Sequence, residues 1–368
     1  MKAILVVAAR PNFMKIRPVL DAMEHDGFET VLVHTGQHYD PNLSDVFFEE
    51  LGIRRPDEHL GIGSGTHAQQ TAEVMVAFEK VVQRHEPDVI VVVGDVNSTL
   101  ACALVGAKAG IVVAHVEAGL RSRDWDMPEE VNRVVADRVS DLLLSPSADA
   151  VVNLEDEGYR SDQIHLVGNV MIDTLLSNVD RAKERKILAD FDLEGKKYGL
   201  VTLHRPSNVD DPATLATLIG AINEIAADVP LVFPVHPRTR PKIESLDLHE
   251  NVRLIEPLGY LDFLSLQASA AIVMTDSGGI QEETTVLGTP CLTLRESTER
   301  PITISEGTNT IVGTDPELIV KTAKDRLANG VEQRRPDLWD GKAGVRISGV
   351  VSAHLQNADR LRPTDSPG

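Results

Sequence analysis

Acids, histidines and arginines stand directly behind short apolar runs along this chain. Val89–Val93 leads into Gly94-Asp95, and the run 111–116 leads into Glu117-Ala118-Gly119-Leu120-Arg121. Pro128-Glu129-Glu130 follows soon after, with Asn132-Arg133 close behind. The first run ends in Ala8-Ala9-Arg10-Pro11-Asn12, with Lys15 one helical turn on. In the second half, His204-Arg205 follow 198–203, His236-Pro237-Arg238 follow 231–235, and Thr275-Asp276-Ser277-Gly278-Gly279 follow 271–274. Several carboxylates gathered in one place suit acid–base catalysis and the stabilisation of developing positive charge. Arginine, lysine and histidine suit an anionic ligand.

The segment 275–283 carries the sharpest local signal. Small residues that leave a strand and open a helix present free backbone N–H groups, and the helix dipole adds to their pull on a phosphate. Ser277 supplies a hydroxyl, and Gly278-Gly279 allow close approach. Glu283, one turn in, is placed to accept hydrogen bonds from two ribose hydroxyls. The segment is neither the glycine-rich dinucleotide fingerprint nor a P-loop, so no NAD, ATP or other cofactor is expected. Each residue also has a plainer use. Asp95 can cap a helix, Glu117 can pair with Arg121, His204 can sit in the core, and Arg10 can be a surface cation.

These residues need elements to hold them. Strands are expected at Lys2–Val7, 30–34, Val89–Val93, 111–116, Leu142–Ser145 and 164–167. A second series falls at 198–203, 231–235, Val252–Ile255 and 271–274. Helical stretches lie between them, for example at 66–84, 98–108, 212–227 and 260–268. Strands alternating with helices imply parallel sheets, and two series imply two doubly wound Rossmann-like α/β domains. Ligands bind beyond the carboxyl ends of such strands, where the polar residues gather. The polar stretch 171–197 sets the boundary, giving domains over 1–170 and 195–344.

A chain of 368 residues comfortably makes two domains. Aromatics are only 4%, so the cores must be built from Val, Ile, Leu and Ala. The net charge of −20 argues against nucleic-acid and anionic-membrane partners, so any phosphorylated substrate needs a small, focused positive site. Cys102 and Cys291 lie far apart inside apolar runs and read as buried small hydrophobes, with no disulfide and no metal site expected. The apolar run at the N-terminus is short and followed at once by Arg10, which fits a strand rather than a leader. The expected compartment is the cytoplasm.

At these same residues the chain resembles the non-hydrolysing UDP-N-acetylglucosamine 2-epimerases. The resemblance covers nearly the whole chain. It is carried by Arg10-Pro11 with Lys15, Thr35-Gly36-Gln37-His38, Gly94-Asp95, His115-Val116-Glu117-Ala118-Gly119-Leu120-Arg121 and Pro128-Glu129-Glu130 with Asn132-Arg133. It continues through His204-Arg205, Pro234-Val235-His236-Pro237, the segment 275–283 and Thr298-Glu299-Arg300-Pro301.

The resemblance implies a fold of the glycosyltransferase B type, a nucleotide-sugar in the interdomain cleft, a last helix near 345–358 returning to the first domain, and a homodimer. It implies loss of UDP from C1 as the C2 proton departs, giving a 2-acetamidoglucal, and re-addition with C2 inverted. Asp95, Glu117 and Glu129 match the family's catalytic carboxylates, with His204, Arg10 and the Ser277-Gly278-Gly279 turn facing the diphosphate. Phe263 would lie near uracil and Glu283 on the ribose, with Arg300 facing phosphates or sugar and Lys15 assisting. Some bacterial members bind a second UDP-sugar as activator, and Gln37, His38, Arg205 and His236 are candidates for such a site. No arginine lies between Arg55 and Arg84, so the helix arginine of that activator site has no counterpart. Ala9-Arg10-Pro11-Asn12 replaces the family's frequent Thr-Arg-Pro-Glu, and the link from Arg121 to Pro128 is shorter than in some members.

Overall fold

The computed structural model of this chain describes residues 1–8, 10–36, 50 and 52–361. The chain divides into two compact units. The first holds residues Met1–Thr174 and everything from Asp337 onward; the second is Leu175–Pro336.

The first unit is built on seven parallel strands: β1 (Lys2–Val7), β2 (Glu29–His34), β3 (Glu58–His59), β4 (Val89–Val93), β5 (Val112–Val116), β6 (Leu142–Ser145) and β7 (Ile164–Leu166). Their spatial order is β3-β2-β1-β4-β5-β6-β7. Every residue of β4 is buried, as expected of a central parallel strand covered on both faces. One face packs Ile4, Val33, Ile90, Val92 and Val113 against Phe78 and Val82 of helix His67–His85 and Cys102 and Val105 of helix Asn97–Ala109. Helix His67–His85 starts with a reciprocal cap between Thr66 and Gln69.

The second unit has six parallel strands: β8 (Gly199–Thr202), β9 (Leu231–Pro234), β10 (Val252–Ile255), β11 (Ile272–Thr275), β12 (Cys291–Thr293) and β13 (Asn309–Ile311). They run β10-β9-β8-β11-β12-β13. The period of two along each strand sends alternate side chains to opposite faces. Val201, Phe233 and Met274 enter one core with helices Pro212–Ala226 and Pro316–Asn329, while Leu200, Val232 and Val273 enter another with Leu266 and Ala270.

Three strands were not expected from the sequence: β3, β12 and β13. Each is two or three residues long, too short to show a period. Cys102 and Cys291 are both buried and free.

The chain joins the first unit again from Asp337, ahead of its last helix. Trp339 is buried and its Nε1–H donates to the Pro146 carbonyl at 2.9 Å. Asp173 then accepts from the backbone N–H groups of Ala343 and Gly344 at the start of helix Ala343–Leu361. No described helix is long and apolar enough to cross a membrane.

Both sheets reverse their direction of winding beside their first strand, between β1 and β4 and between β8 and β11. Loops leaving neighbouring strands diverge at such a point and open a crevice at the carboxyl ends.

Candidate functional site

In the first unit, strand register brings the candidate acids together. Val93 pairs with Val116 across β4 and β5, so Gly94-Asp95 and Glu117 leave the sheet side by side. Helix Arg10–His25 leaves β1 next to them, and Asn12 donates from its side chain to the Val93 carbonyl at 3.2 Å. Gly94 has φ of +72°, and a Cβ there would lie 3.3 Å from Lys15 Nζ and 3.5 Å from Glu117 Oε2.

Lys15 Nζ holds Glu117 Oε2 at 2.6 Å, with both residues buried. Glu117 therefore pairs with Lys15; Arg121 instead reaches Asp137 at 2.7 Å and Glu157. Glu117 Oε1 is buried and has no hydrogen-bond partner among the described residues. One oxygen of this carboxylate is thus fixed while the other is open to a proton. Its backbone has φ of +71°, a costly conformation for a residue with a side chain. Such strain is tolerated where the surrounding structure over-determines it.

Asp95 does not cap the next helix, whose cap position is Val96. Its carboxylate instead meets Arg133, with Nη2 at 2.7 Å and Nε at 3.0 Å from Oδ2. Asn132 donates to the Asp95 carbonyl at 2.9 Å. Both partners ride on helix Pro128–Val139. Arg133 has no role of its own in the sequence motif Asn132-Arg133; the folded chain gives it one. Its signal in the sequence is its spacing, three residues after Glu130 on one helix face.

Glu129 is half-buried at the start of this helix and has no ion pair or hydrogen bond among the described residues. Its neighbour Glu130 is buried and structural. It accepts from the N–H groups of Ser122 and Arg123 and pairs with Arg133. Burial raises the Glu130 carboxyl, but those backbone hydrogen bonds and Arg133 outweigh it and leave it below its ordinary value. Arg10 begins helix Arg10–His25 at the end of β1. Gln37 and His38 lie outside the described residues.

In the second unit, Thr202 pairs with Thr275 across β8 and β11, which sets His204 beside Asp276. Asp276 is fully buried. Its carboxylate accepts from the backbone N–H groups of His204 and Arg205, from Asn208 Nδ2, and from His204 Nδ1 at 2.7 Å. Burial alone would raise this carboxyl, but the hydrogen bond and charge of His204 and the two backbone donors hold it below the usual range. The His204 side chain is 58% exposed, so it is no core histidine. Asp276 grips Nδ1 and leaves the rest of the ring facing outward.

Helix Gly278–Leu287 starts behind Ser277, whose side chain makes no capping bond to it. Arg300 and Glu299 lie beneath the turn. Arg300, buried, pairs with Glu282 at 2.8 Å and Glu299 at 2.5 Å, and a Cβ on Gly278 would fall 2.6 Å from Arg300 Nη1. Arg300 therefore packs directly against the turn. Arg205 is partly exposed and reaches Glu299 at 3.7 Å, while His236 is exposed and its Nδ1 accepts from the Arg238 N–H.

Glu283 is buried and accepts from the Tyr260 hydroxyl at 3.1 Å. Burial pushes its carboxyl up to about 7, with the Tyr260 hydrogen bond opposing. Phe263, half-buried, packs near Ile280 and Leu266 on the same helix pair. The second unit thus offers a free helix start, an exposed imidazole and a buried carboxyl, all beyond the ends of β8 and β11. Among the described residues no cluster of His, Cys, Asp or Glu is arranged to hold a metal ion.

Comparison with known proteins bears directly on this arrangement. A family model described as UDP-N-acetylglucosamine 2-epimerase matches residues 21–352. The UDP-N-acetylglucosamine 2-epimerase of Methanocaldococcus jannaschii is 40% identical over 363 residues, spanning 96% of this chain and 99% of the relative. The crystal structure of that enzyme with UDP-GlcNAc and UDP superposes with a TM-score of 0.88, covering 96% of this chain and all of that one. The UDP-2,3-diacetamido-2,3-dideoxy-D-glucuronate 2-epimerase of Pseudomonas aeruginosa is 42% identical over 352 residues, covering 95% and 98% of the two chains. The spinosyn rhamnosyltransferase SpnG shares the fold at a TM-score of 0.52 and 16% identity, over 98% of this chain and all of that one. The fold is therefore two doubly wound domains of the glycosyltransferase B type.

Proposed function

Since this chain belongs to the UDP-N-acetylglucosamine 2-epimerase family and is an isomerase, we propose that it interconverts UDP-N-acetylglucosamine and UDP-N-acetylmannosamine without net hydrolysis. The observation that carries this reading is the Glu117 carboxylate. It is buried, locked on one oxygen by Lys15, open on the other, and set beside Gly94-Asp95.

The C2 hydrogen of the sugar is not acidic. Breaking of the C1–O bond must run ahead, with its electron pair leaving on UDP and positive charge building on the ring. Carboxylates held close to that charge lower its energy. One of them takes the C2 proton, and the C–H electron pair becomes the C1=C2 double bond of a 2-acetamidoglucal. Return of a proton to the other face of C2, and of the diphosphate oxygen to C1, completes the inversion. In this reading Asp95, Glu117 and Glu129 serve the sugar, with Arg133 fixing Asp95 and Lys15 fixing Glu117. His204, Arg10 and the Ser277-Gly278-Gly279 turn hold the diphosphate. Glu283 takes the ribose hydroxyls, Phe263 lies by the base, and Arg300 stiffens the phosphate turn from behind. The working form is a homodimer.

The test is proton NMR of UDP-N-acetylglucosamine with the enzyme in heavy water. C2 gains deuterium as the manno epimer appears. The Asp95→Asn variant loses that exchange while still binding UDP. Absence of deuterium at C2 with any UDP-2-acetamido sugar refutes epimerisation, and free UDP released in step with sugar turnover refutes the non-hydrolysing course. A second reading, a sugar modified at C3 or C6, is favoured by the 42% identity to the diacetamido-glucuronate enzyme. A panel of UDP-sugars separates the two.

A further inference from the structure

We propose that His115 is a protonated positioning residue, an imidazolium whose two N–H groups tie the turn that carries Asp95 to Asp137, the carboxylate that holds the turn after Glu117. This rests on the reading that those two acids serve the sugar.

His115 is fully buried on β5. Its Nε2 lies 2.8 Å from the Gly94 carbonyl oxygen. A carbonyl can only accept, so Nε2 carries hydrogen. Its Nδ1 lies 2.6 Å from Asp137 Oδ1. Asp137, also fully buried, receives the Gly119 N–H at 3.1 Å and Arg121 Nη1 at 2.7 Å on its other oxygen. A carboxyl facing that many donors is ionised, so Nδ1 donates as well. Burial opposes a charge on the ring, but the charge and hydrogen bond of Asp137 and the Gly94 carbonyl outweigh it, with Arg121 opposing. The charges balance locally: His115 and Arg121 face Asp137 and Glu157.

The network joins three elements. Gly94 is the residue before Asp95. Gly119 closes the turn begun by Glu117; it has φ of +84°, and a Cβ there would meet the Ala150 carbonyl at 2.3 Å. Asp137 lies on helix Pro128–Val139, one turn beyond Arg133. A single ring therefore sets both acids against the helix that holds Asp95. A neutral imidazole could satisfy only one of its two acceptors.

The experiment pairs spectroscopy with kinetics. In the whole protein labelled with ¹⁵N-histidine, the His115 ring stays doubly protonated through the pH range where free histidine loses its proton. A ring that deprotonates in that window overturns the proposal. His115→Gln, which can donate to only one acceptor at a time, lowers kcat for C2 exchange about 100-fold, the scale expected of a misplaced catalytic group, with KM and UDP affinity unchanged. Adding Asp137→Asn relieves the buried excess charge and restores thermal stability, but kcat stays low. Full kcat in His115→Gln, with Asp95→Asn inactive, overturns the positioning role alone. Full exchange in Asp95→Asn overturns the acid reading and the inference with it. If His115→Gln does not fold, the ¹⁵N titration of the unmodified protein decides.

Discussion

Glu283 ties stability to one proton and, on the proposed function, ties ligand binding to the same proton. Its carboxyl is raised by burial from 4.5 to about 7 in the folded chain. Between those values the folded state holds a proton that the unfolded state has lost, so stability falls as pH rises from 4.5 to 7 and levels off above. The cost is of order 3 kcal/mol. Glu283→Gln should be more stable than the parent at pH 8 and should lack this slope, as urea titrations across pH would show. If Glu283 takes the ribose hydroxyls as proposed, they donate to an ionised carboxylate, so bound UDP favours the charged form. UDP affinity, measured by calorimetry, should rise more steeply as pH passes through 7 in the parent than in Glu283→Gln, which keeps only the pH dependence of the UDP phosphate itself.

Helix Gly278–Leu287 depends on a missing side chain at its first residue. Its first residue sits on Arg300 and Glu299, which are buried and paired with each other, so neither can swing aside cheaply. In Gly278→Ala the new Cβ must push the helix start outward. Overpacking of this kind costs about 1–3 kcal/mol, and UDP affinity should fall about 10-fold or more. An unchanged dissociation constant for UDP would separate this turn from the phosphate. The start of this helix was legible in the sequence because small residues right after a strand admit few other readings. The supports beneath it were not. Glu282 and Arg300 stand far apart along the chain and meet only because β11 and β12 pair side by side.

For the whole molecule, the return of the chain matters most. Trp339 is 1% exposed, and its indole N–H finds the Pro146 carbonyl 193 residues away. Trp339→Ala should destabilise the first unit by about 3–5 kcal/mol, as a buried large-to-small change does. Denaturation followed by circular dichroism, with and without UDP, would separate the two transitions if UDP protects the second unit as proposed. A single unshifted transition would mean that this anchor carries little. The sequence by itself determined two series of parallel strands and the places where polar residues follow them, because periodicity and the residue behind a strand are local properties. It therefore pointed to Asp95, Glu117, His204 and the turn at Ser277 without any tertiary contact. Which charge meets which partner was decided only by the folded chain. Glu117 has Arg121 four residues away in sequence, yet it pairs with Lys15, 102 residues away, because helix Arg10–His25 leaves β1 at the switch point beside β4. Arg121 is drawn instead to Asp137 and Glu157. Partner choice among buried charges depends on how helices pack on the sheet, and no local pattern encodes that.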